Sequence, residues 1–214
     1  MWPKSILILS CLLLAACQSF TLVEAKKQTI GGTYSVEAQI QWNKMDEQGV
    51  ELWTVDGLLL QSLRFVSEVK DGDALFTLPR APGSAEQQAQ MPTYRDDFSL
   101  SETVEFIIAS LERYGANQIK ASHIRPAKFG SADGIRFEFT FLTEEGLESD
   151  GIATAATIDA ELFVVIYSGT HEYYFPKYKD QVERLLASIA LVDGQVGYMF
   201  KSLLEEERVG SGVG

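Results

Sequence analysis

Residues 134–142 read GIRFEFTFL, in which apolar and polar side chains alternate. Strict alternation predicts a strand with one buried face and one exposed face. Residues 151–158 and 161–167 are also strand-like, and short turns join the three segments, so a run of three antiparallel strands is predicted. The tetrapeptide FVVI at 163–166 is apolar throughout, which predicts that the third of these strands is central in its sheet.

Two amphipathic helices flank these strands in the chain. The first is predicted over Ser99–Tyr114, because Ser99 and Glu102 have the spacing of a capping box and Gly115 supplies a C-cap. The second begins near Pro176, a residue favoured at the first helical position. The predicted apolar stripes are Val104, Ile107, Ile108, Leu111 and Tyr114 in the first helix, and Tyr178, Val182, Leu185, Leu186 and Ile189 in the second.

The N-terminal half of the chain predicts further strands. They are expected over residues 33–42, 52–55 and 58–69, with Trp42 and Trp53 in the core. The Asp71-Gly72 dipeptide predicts a tight hairpin turn, followed by a return strand over residues 74–78. Residues 79–92 then form a polar loop that contains three prolines.

This order of elements predicts an α+β fold in which helices cover an antiparallel sheet. Residues 99–190 resemble the second half of PsbP-like domains, a fold that also includes bacterial lipoproteins of the DcrB type. The resemblance lies in the first helix, in ADGIRFEF at 132–139, in the hairpin that leads into LFVVIYS at 162–168, and in the helix that follows. It implies an α/β/α sandwich over residues 33–193. Characterised members of the family mostly act by binding proteins, but a shared fold alone does not transfer a function. Residues 194–214 have no counterpart in it.

The N-terminus resembles a bacterial lipoprotein signal. Residues 1–16 contain Lys4, a short apolar run and small residues, which is typical of a signal peptide. LAAC at 14–17 resembles a lipobox, which implies cleavage before Cys17 and acylation of Cys17; the alternative is an ordinary signal peptide with an incidental cysteine. Gln18 resembles the outer-membrane default of the enterobacterial sorting rule. We therefore expect a cell-envelope protein anchored in the outer membrane, facing the periplasm, with residues 17–32 as its tether.

Composition narrows the functional classes. Apolar residues make up 46% of the 214 residues, which excludes a wholly disordered chain. The net charge of −12 argues against nucleic-acid binding, because phosphate backbones repel an acidic chain. The only cysteines are Cys11 and Cys17, so the folded part is expected to have no disulfide and no cysteine nucleophile.

No catalytic constellation is recognisable. Ser168 and His171 lie close together in the sequence, but no nucleophile elbow surrounds either residue, and His171-Glu172 lacks the second histidine of a zinc motif. His123 and His171 are therefore interpreted as locally hydrogen-bonded residues. We predict no catalytic residue, no cofactor and no metal ligand.

The best candidate for an interaction surface is aromatic. Consecutive side chains cannot all face one core, so at least one of Tyr173 and Tyr174 should be exposed. A stripe that includes Met199 and Phe200 lies on an amphipathic segment at residues 194–214, which either docks on its own domain or binds a partner. We expect an envelope accessory protein that works by protein–protein binding. The alternative is a periplasmic small-ligand-binding or metal-binding domain or an unrecognised enzyme, which a closed cleft lined by His171 and the tyrosines would favour.

Overall fold

An antiparallel sheet of eight strands runs through the part of the chain that the computed structural model describes, residues 20–47, 49–78 and 84–192. The described elements are β1 (Thr21–Val23), β2 (Lys27–Ile30), β3 (Tyr34–Glu37), β4 (Trp42–Glu47), β5 (Val50–Thr54), β6 (Gln61–Val69), α1 (Ser84–Gln88), α2 (Leu100–Arg113), β7 (Asn117–Phe129), β8 (Ala132–Leu142), β9 (Glu148–Ile158), β10 (Glu161–Thr170), α3 (Tyr174–Ala187) and β11 (Ala190–Leu191). None of the described helices is long and apolar enough to cross a bilayer.

The large sheet has the order β1-β4-β5-β6-β10-β9-β8-β7, with β10 in its middle. The prediction that the FVVI segment is central is thus confirmed, and all four of its side chains are buried. Helix α3 and a small sheet of β11, β3 and β2 cover one face, which we call the α3 side. Helix α2 covers the other face, the α2 side. Trp42 and Trp53 are buried on the α3 side, as predicted. This α+β sandwich is the predicted fold class.

The two main helices form where their sequence patterns predict them. The Ser99 hydroxyl accepts a hydrogen bond from the Glu102 amide, and the Glu102 carboxylate accepts one from the Ser99 amide at 2.8 Å, which completes the capping box. Helix α3 begins at Tyr174, two residues before Pro176. Proline is accommodated there because the amides of a first helical turn have no partner within the helix.

The structure corrects the predicted N-terminal boundary. Residues 17–32 are predicted as a tether, yet β1 and β2 lie between Thr21 and Ile30. Val23 and Ile30 are buried in the α3-side core, so the fold begins before residue 33. The single strand predicted over 33–42 is also wrong, because it divides into β3 in the small sheet and β4 in the large sheet. Its alternation persists across the break, since side chains of both strands face the same core.

The hairpin predicted at Asp71-Gly72 is wrong. Strand β6 pairs with β5 on one side and β10 on the other, so no sheet position remains for a return strand over residues 74–78. The chain turns at Gly72, whose φ is +84°, and its amide donates to the Tyr94 carbonyl at 2.8 Å. Ala74 forms only an isolated bridge with Thr93. Within the predicted polar loop, residues 84–88 form α1.

Strand β7 forms the far edge of the large sheet. Its sequence shows no alternation of apolar and polar residues from which a strand could have been predicted. Ten of its thirteen residues are exposed, and its pairing with β8 is irregular at two points. Exposure on both faces removes the periodicity by which a half-buried strand is recognised. Pro126 is tolerated here because an edge strand pairs on one side only.

Candidate functional site

Three turns meet at one end of the sandwich, which we call the loop end. They are the β5–β6 turn (residues 55–60), the β8–β9 turn (143–147) and the β10–α3 turn (171–173). The Thr170 amide donates to the Leu60 carbonyl at 3.0 Å, and the His171 amide donates to the Glu148 carbonyl at 3.0 Å. The end of β10 and the β10–α3 turn are therefore tied to the β5–β6 turn and to the first residue of β9.

Each of these turns presents one large, exposed apolar or aromatic side chain. Leu59 is 83% exposed, Leu147 is 47% exposed and Tyr173 is 58% exposed. Side chains of this size bury apolar surface readily, and clusters of them at one end of a soluble domain mark interaction sites. These three residues define the apolar rim of the loop end.

The two predicted tyrosines lie where α3 begins. Tyr173 is exposed, Tyr174 is half-buried and Phe175 is buried, so the prediction that at least one tyrosine is exposed is confirmed. The rings of Tyr173 and Tyr174 meet edge to face with centroids 5.0 Å apart. Beneath them, the buried Tyr167 hydroxyl donates to the carbonyls of Tyr174 and Phe175 at 2.9 and 3.1 Å, which fixes the first turn of the helix on the sheet.

Lys177 joins this aromatic group to the β5–β6 turn. Its Nζ lies 5.3, 5.5 and 4.8 Å from the ring centroids of Tyr173, Tyr174 and Tyr178, within the range of cation–π attraction. The same ammonium lies 2.9 Å from Oδ2 of Asp56. Asp56 also accepts a hydrogen bond from the Tyr178 hydroxyl. The five residues form one cluster, which we call the Lys177 cluster.

The protonation states within this cluster reinforce one another. The hydrogen bonds from Tyr178 and then from Lys177 hold the pKa of the Asp56 carboxyl below its usual range. The hydrogen bonds with Tyr178 and Asp56 raise the pKa of the Lys177 ammonium. Both groups are therefore charged at neutral pH, as an ion pair requires. The arrangement positions side chains and provides no nucleophile.

A shallow cleft of about 220 Å³ lies beside the rim, between the C-terminal end of α2 and the β5–β6 turn. Its apolar lining includes Leu59 of the rim together with Leu58, Leu60, Leu111, Ala116, Phe139, Phe141 and Ile166. Its polar side includes Ser62 and Ser168, whose hydroxyls are 3.4 Å apart, and Arg64, whose guanidinium lies 5.1 Å from the centroid of the Tyr114 ring. The volume falls below the roughly 300 to 1,000 Å³ of typical small-molecule sites.

The two histidines occupy separate places. His171 is exposed, and its Nδ1 lies 2.8 Å from Oδ2 of Asp150, whose hydrogen bond and charge raise the pKa of the imidazole. His123 lies on β7, 3.6 Å from the Glu138 carboxylate. The cleft beside His171 is lined by Gln118, Lys120, Thr140, Phe141, Leu142, Glu148, Ser149 and Asp150, without Tyr173 or Tyr174. Across the described ranges, no three His, Cys, Asp or Glu side chains are grouped so as to hold a metal ion.

Sequence reasoning located part of this site. It singled out Tyr173 and Tyr174, whereas Cys17, Met199 and Phe200 lie outside the described residues. It missed Leu59, Leu147 and Lys177, because a lone leucine in a turn and a lone lysine on a helix carry no pattern. Asp56 was visible only as half of an Asp-Gly dipeptide that ends a strand.

Comparison with known proteins identifies the architecture. No protein-family model matches the chain, and no curated protein sequence matches it. The solution structure of cyanobacterial PsbP (CyanoP) from Synechocystis sp. PCC 6803 superposes with a TM-score of 0.51 at 11% identity, over 83% of this chain and 95% of that chain.

Two more distant structures also match. One is a Bacteroides thetaiotaomicron protein, at 13% identity and a TM-score of 0.44, over 79% of this chain and 49% of that one. The other is LpqN, involved in cell envelope biogenesis of Mycobacterium tuberculosis, at 8% identity and a TM-score of 0.37, over 84% and 87% of the two chains. At these identities the likeness concerns the fold alone, and the CyanoP superposition carries it: the chain has a PsbP-like fold.

Proposed function

We propose that the protein is a lipid-anchored accessory protein of the cell envelope that binds another envelope protein and catalyses no reaction. Acylated Cys17 holds it in the membrane, with the outer membrane and the periplasmic side as its location. The apolar rim of the loop end, together with Tyr174, is its binding surface. Its acidic character speaks against nucleic acid as a partner.

The observation that carries this proposal is that three turns at the loop end each expose one large apolar or aromatic side chain, Leu59, Leu147 and Tyr173. The Lys177 cluster orders the tyrosines before any partner arrives, so binding costs little conformational entropy. Tyrosine combines a large apolar ring with a polar tip, which is why it is enriched where proteins meet. Tyr173 and Tyr174 do not line the cleft beside His171, the arrangement that would have favoured a small-ligand-binding or metal-binding domain or an enzyme.

Site-specific photocrosslinking in intact cells tests the proposal. A photoreactive phenylalanine analogue is placed at Tyr173 or Leu59, and in a matched control at Ile124, which is similarly exposed at 54% but lies on the β7 edge. We expect both loop-end positions to capture the same discrete envelope protein and Ile124 not to capture it. Identical products from all three positions, or none from Tyr173 and Leu59, would contradict the proposed surface.

A second candidate function, the binding of a small apolar ligand, is favoured only by the cleft beside Leu111 and Phe139. Native mass spectrometry of protein purified from cells separates the two candidates. A bound molecule that is lost in an Ile166→Phe variant, which fills the cleft, would support the ligand. An unliganded mass together with crosslinking at Tyr173 would support the protein partner.

A further inference from the structure

We infer that the β1 edge of the large sheet lies against the membrane surface, with Phe20 and Leu22 in contact with the lipid headgroup layer. This inference rests on the acylation of Cys17 in the proposed function and adds the orientation of the domain on the bilayer. The observation behind it is that β1 begins at Thr21, only four residues after Cys17.

The length of chain between anchor and fold is short. Gln18 and Ser19 alone separate Cys17 from Phe20, and β1 begins at Thr21. At a maximum of about 3.6 Å per residue, Phe20 can be no farther than about 11 Å from Cys17. The headgroup layer is itself about 5 to 8 Å thick on each side of the bilayer. A tether that extended to residue 32 would have allowed about 50 Å, but β1 and β2 occupy that segment.

Strand β1 is attached firmly to the domain. It is the first strand in the order of the eight, and among the described strands it pairs only with β4, in the register Thr21↔Lys44 and Val23↔Trp42. Val23 is buried in the α3-side core. The anchored end of the chain is therefore an edge of the sheet and moves with it.

The side chains at this edge suit the membrane interface. Phe20 is 48% exposed and Leu22 is 58% exposed. Leu22 points to the face opposite the buried Val23, because neighbouring side chains of a strand alternate. Transfer of aromatic and aliphatic side chains from water to the interfacial region lowers the free energy.

Local charge does not oppose this contact. Residues 20–29 contain Lys26 and Lys27 against Glu24 alone, in a chain whose net charge is −12. Lys26 pairs with Glu24, and both side chains are exposed. The opposite edge, β7, lies seven strand spacings away, about 33 Å along the sheet.

Lipid quenching tests the orientation. The lipidated protein is reconstituted in vesicles of phosphatidylethanolamine and phosphatidylglycerol, and a fluorophore is attached to Leu22→Cys or, as a control, Ile124→Cys. These positions have similar exposure, 58% and 54%, on opposite edges, and acylation occupies the thiol of Cys17. With headgroup-spin-labelled lipid, we expect several-fold stronger quenching at position 22 than at position 124. Each labelled variant must keep the thermal midpoint of the parent.

The other outcomes overturn the inference in distinct ways. Equal quenching at both positions would show a freely rotating domain, and stronger quenching at position 124 would place the β7 edge on the membrane. Shielding of position 22 from an aqueous quencher in cell membranes, without quenching by lipid, would show that a protein covers β1. Membrane fractionation of Cys17→Ser is measured separately, so a failure of the anchor is not mistaken for a failure of the orientation.

Discussion

Nζ of Lys177 lies 2.9 Å from Oδ2 of Asp56, although 121 residues separate the two in the chain. The contact ties the first turn of α3 to the turn between β5 and β6. The same lysine lies among the rings of Tyr173, Tyr174 and Tyr178. Two of the three exposed side chains of the apolar rim, Leu59 and Tyr173, therefore belong to segments that this ion pair joins.

Removing the charge of Asp56 should destabilise the protein in a pH-dependent way. We expect Asp56→Asn to lower the free energy of unfolding at neutral pH by on the order of 1 kcal/mol, a value discounted for solvent screening. The pKa of Asp56 is lower in the folded protein than in the unfolded chain. Its contribution is thus complete above the unfolded pKa of about 3.9 and disappears as the pH falls through the folded value.

Urea unfolding of both proteins across this pH range checks that expectation. Asp46→Asn, at an exposed position of β4, is the matched control and should unfold like the parent. A difference between the parent and Asp56→Asn that stayed constant down to strongly acidic pH would show that charge is not its cause.

Truncation of the α2 stripe should be costly. Leu111 is buried against the α2-side core, so Leu111→Ala should lower the free energy of unfolding by about 2–5 kcal/mol. Glu105→Ala, on the exposed face of the same helix, should change it by no more than about 0.5 kcal/mol. Thermal and denaturant melts measure both. If Leu111→Ala melts like the parent, its side chain is not in the core.

Gly151 should tolerate no side chain, for a reason that is visible across the sheet. A Cβ at this position would lie 2.1 Å from Cζ of Phe139, whose ring covers the glycine from the neighbouring strand. We expect Gly151→Ala to cost about 1–3 kcal/mol of stability.

A double variant identifies the cause. Phe139→Leu frees the space above residue 151, so the two substitutions together should be less harmful than the sum of their separate effects. Strict additivity, measured by urea unfolding, would mean that contact with the ring is not the source of the penalty.

The pairing of His171 with Asp150 should be visible in a titration. The hydrogen bond and the negative charge of Asp150 raise the pKa of His171, so Asp150→Asn should lower it. A group with a raised folded pKa stabilises the fold below its unfolded pKa of about 6.5 and loses that effect as the pH rises through the folded value. NMR titration of the imidazole measures the pKa directly, with His123→Gln used to assign the resonances. An unchanged pKa in Asp150→Asn would rule out the pairing in solution.

Membrane attachment should depend on one group, the thiol of Cys17. We expect Cys17→Ser to release the protein from membranes or to stall its processing, because no other residue follows a lipobox-like run. Cell fractionation and the mass of the mature protein measure this effect. Cys11→Ser is the control and should change neither. Unchanged fractionation and mass in Cys17→Ser would refute the anchor.

Periodicity predicted the C-terminal half of the fold well. Helices α2 and α3 each bury one face, which a helical stripe in the sequence predicts. In β8 the alternation predicted the strand and its buried Ile135, Phe137 and Phe139, although Arg136 on the other face is buried as well. The elements that sequence missed lack this asymmetry. Strand β7 is exposed on both faces, and β1 and β2 are three and four residues long, too short for a period to show.

The candidate site was less predictable than the fold. Tyr173 and Tyr174 were identifiable because consecutive aromatic residues cannot all be buried. Leu59 and Asp56 belong to the site only because β6 pairs with β10, which brings together turns that are distant in the chain. Local sequence carries no record of such long-range pairing.

The pairing of β6 with β10 also determines when the domain can form. Ser62 and Ser168, which face each other across these strands, are 106 residues apart in the chain. Closing so long a loop is slow, and the contacts that offset its entropy cost form only after β10 has been synthesised. Strands β4 to β6 therefore have no central neighbour during most of synthesis. A chain exported as proposed above would therefore lack this central pairing until β10 has formed.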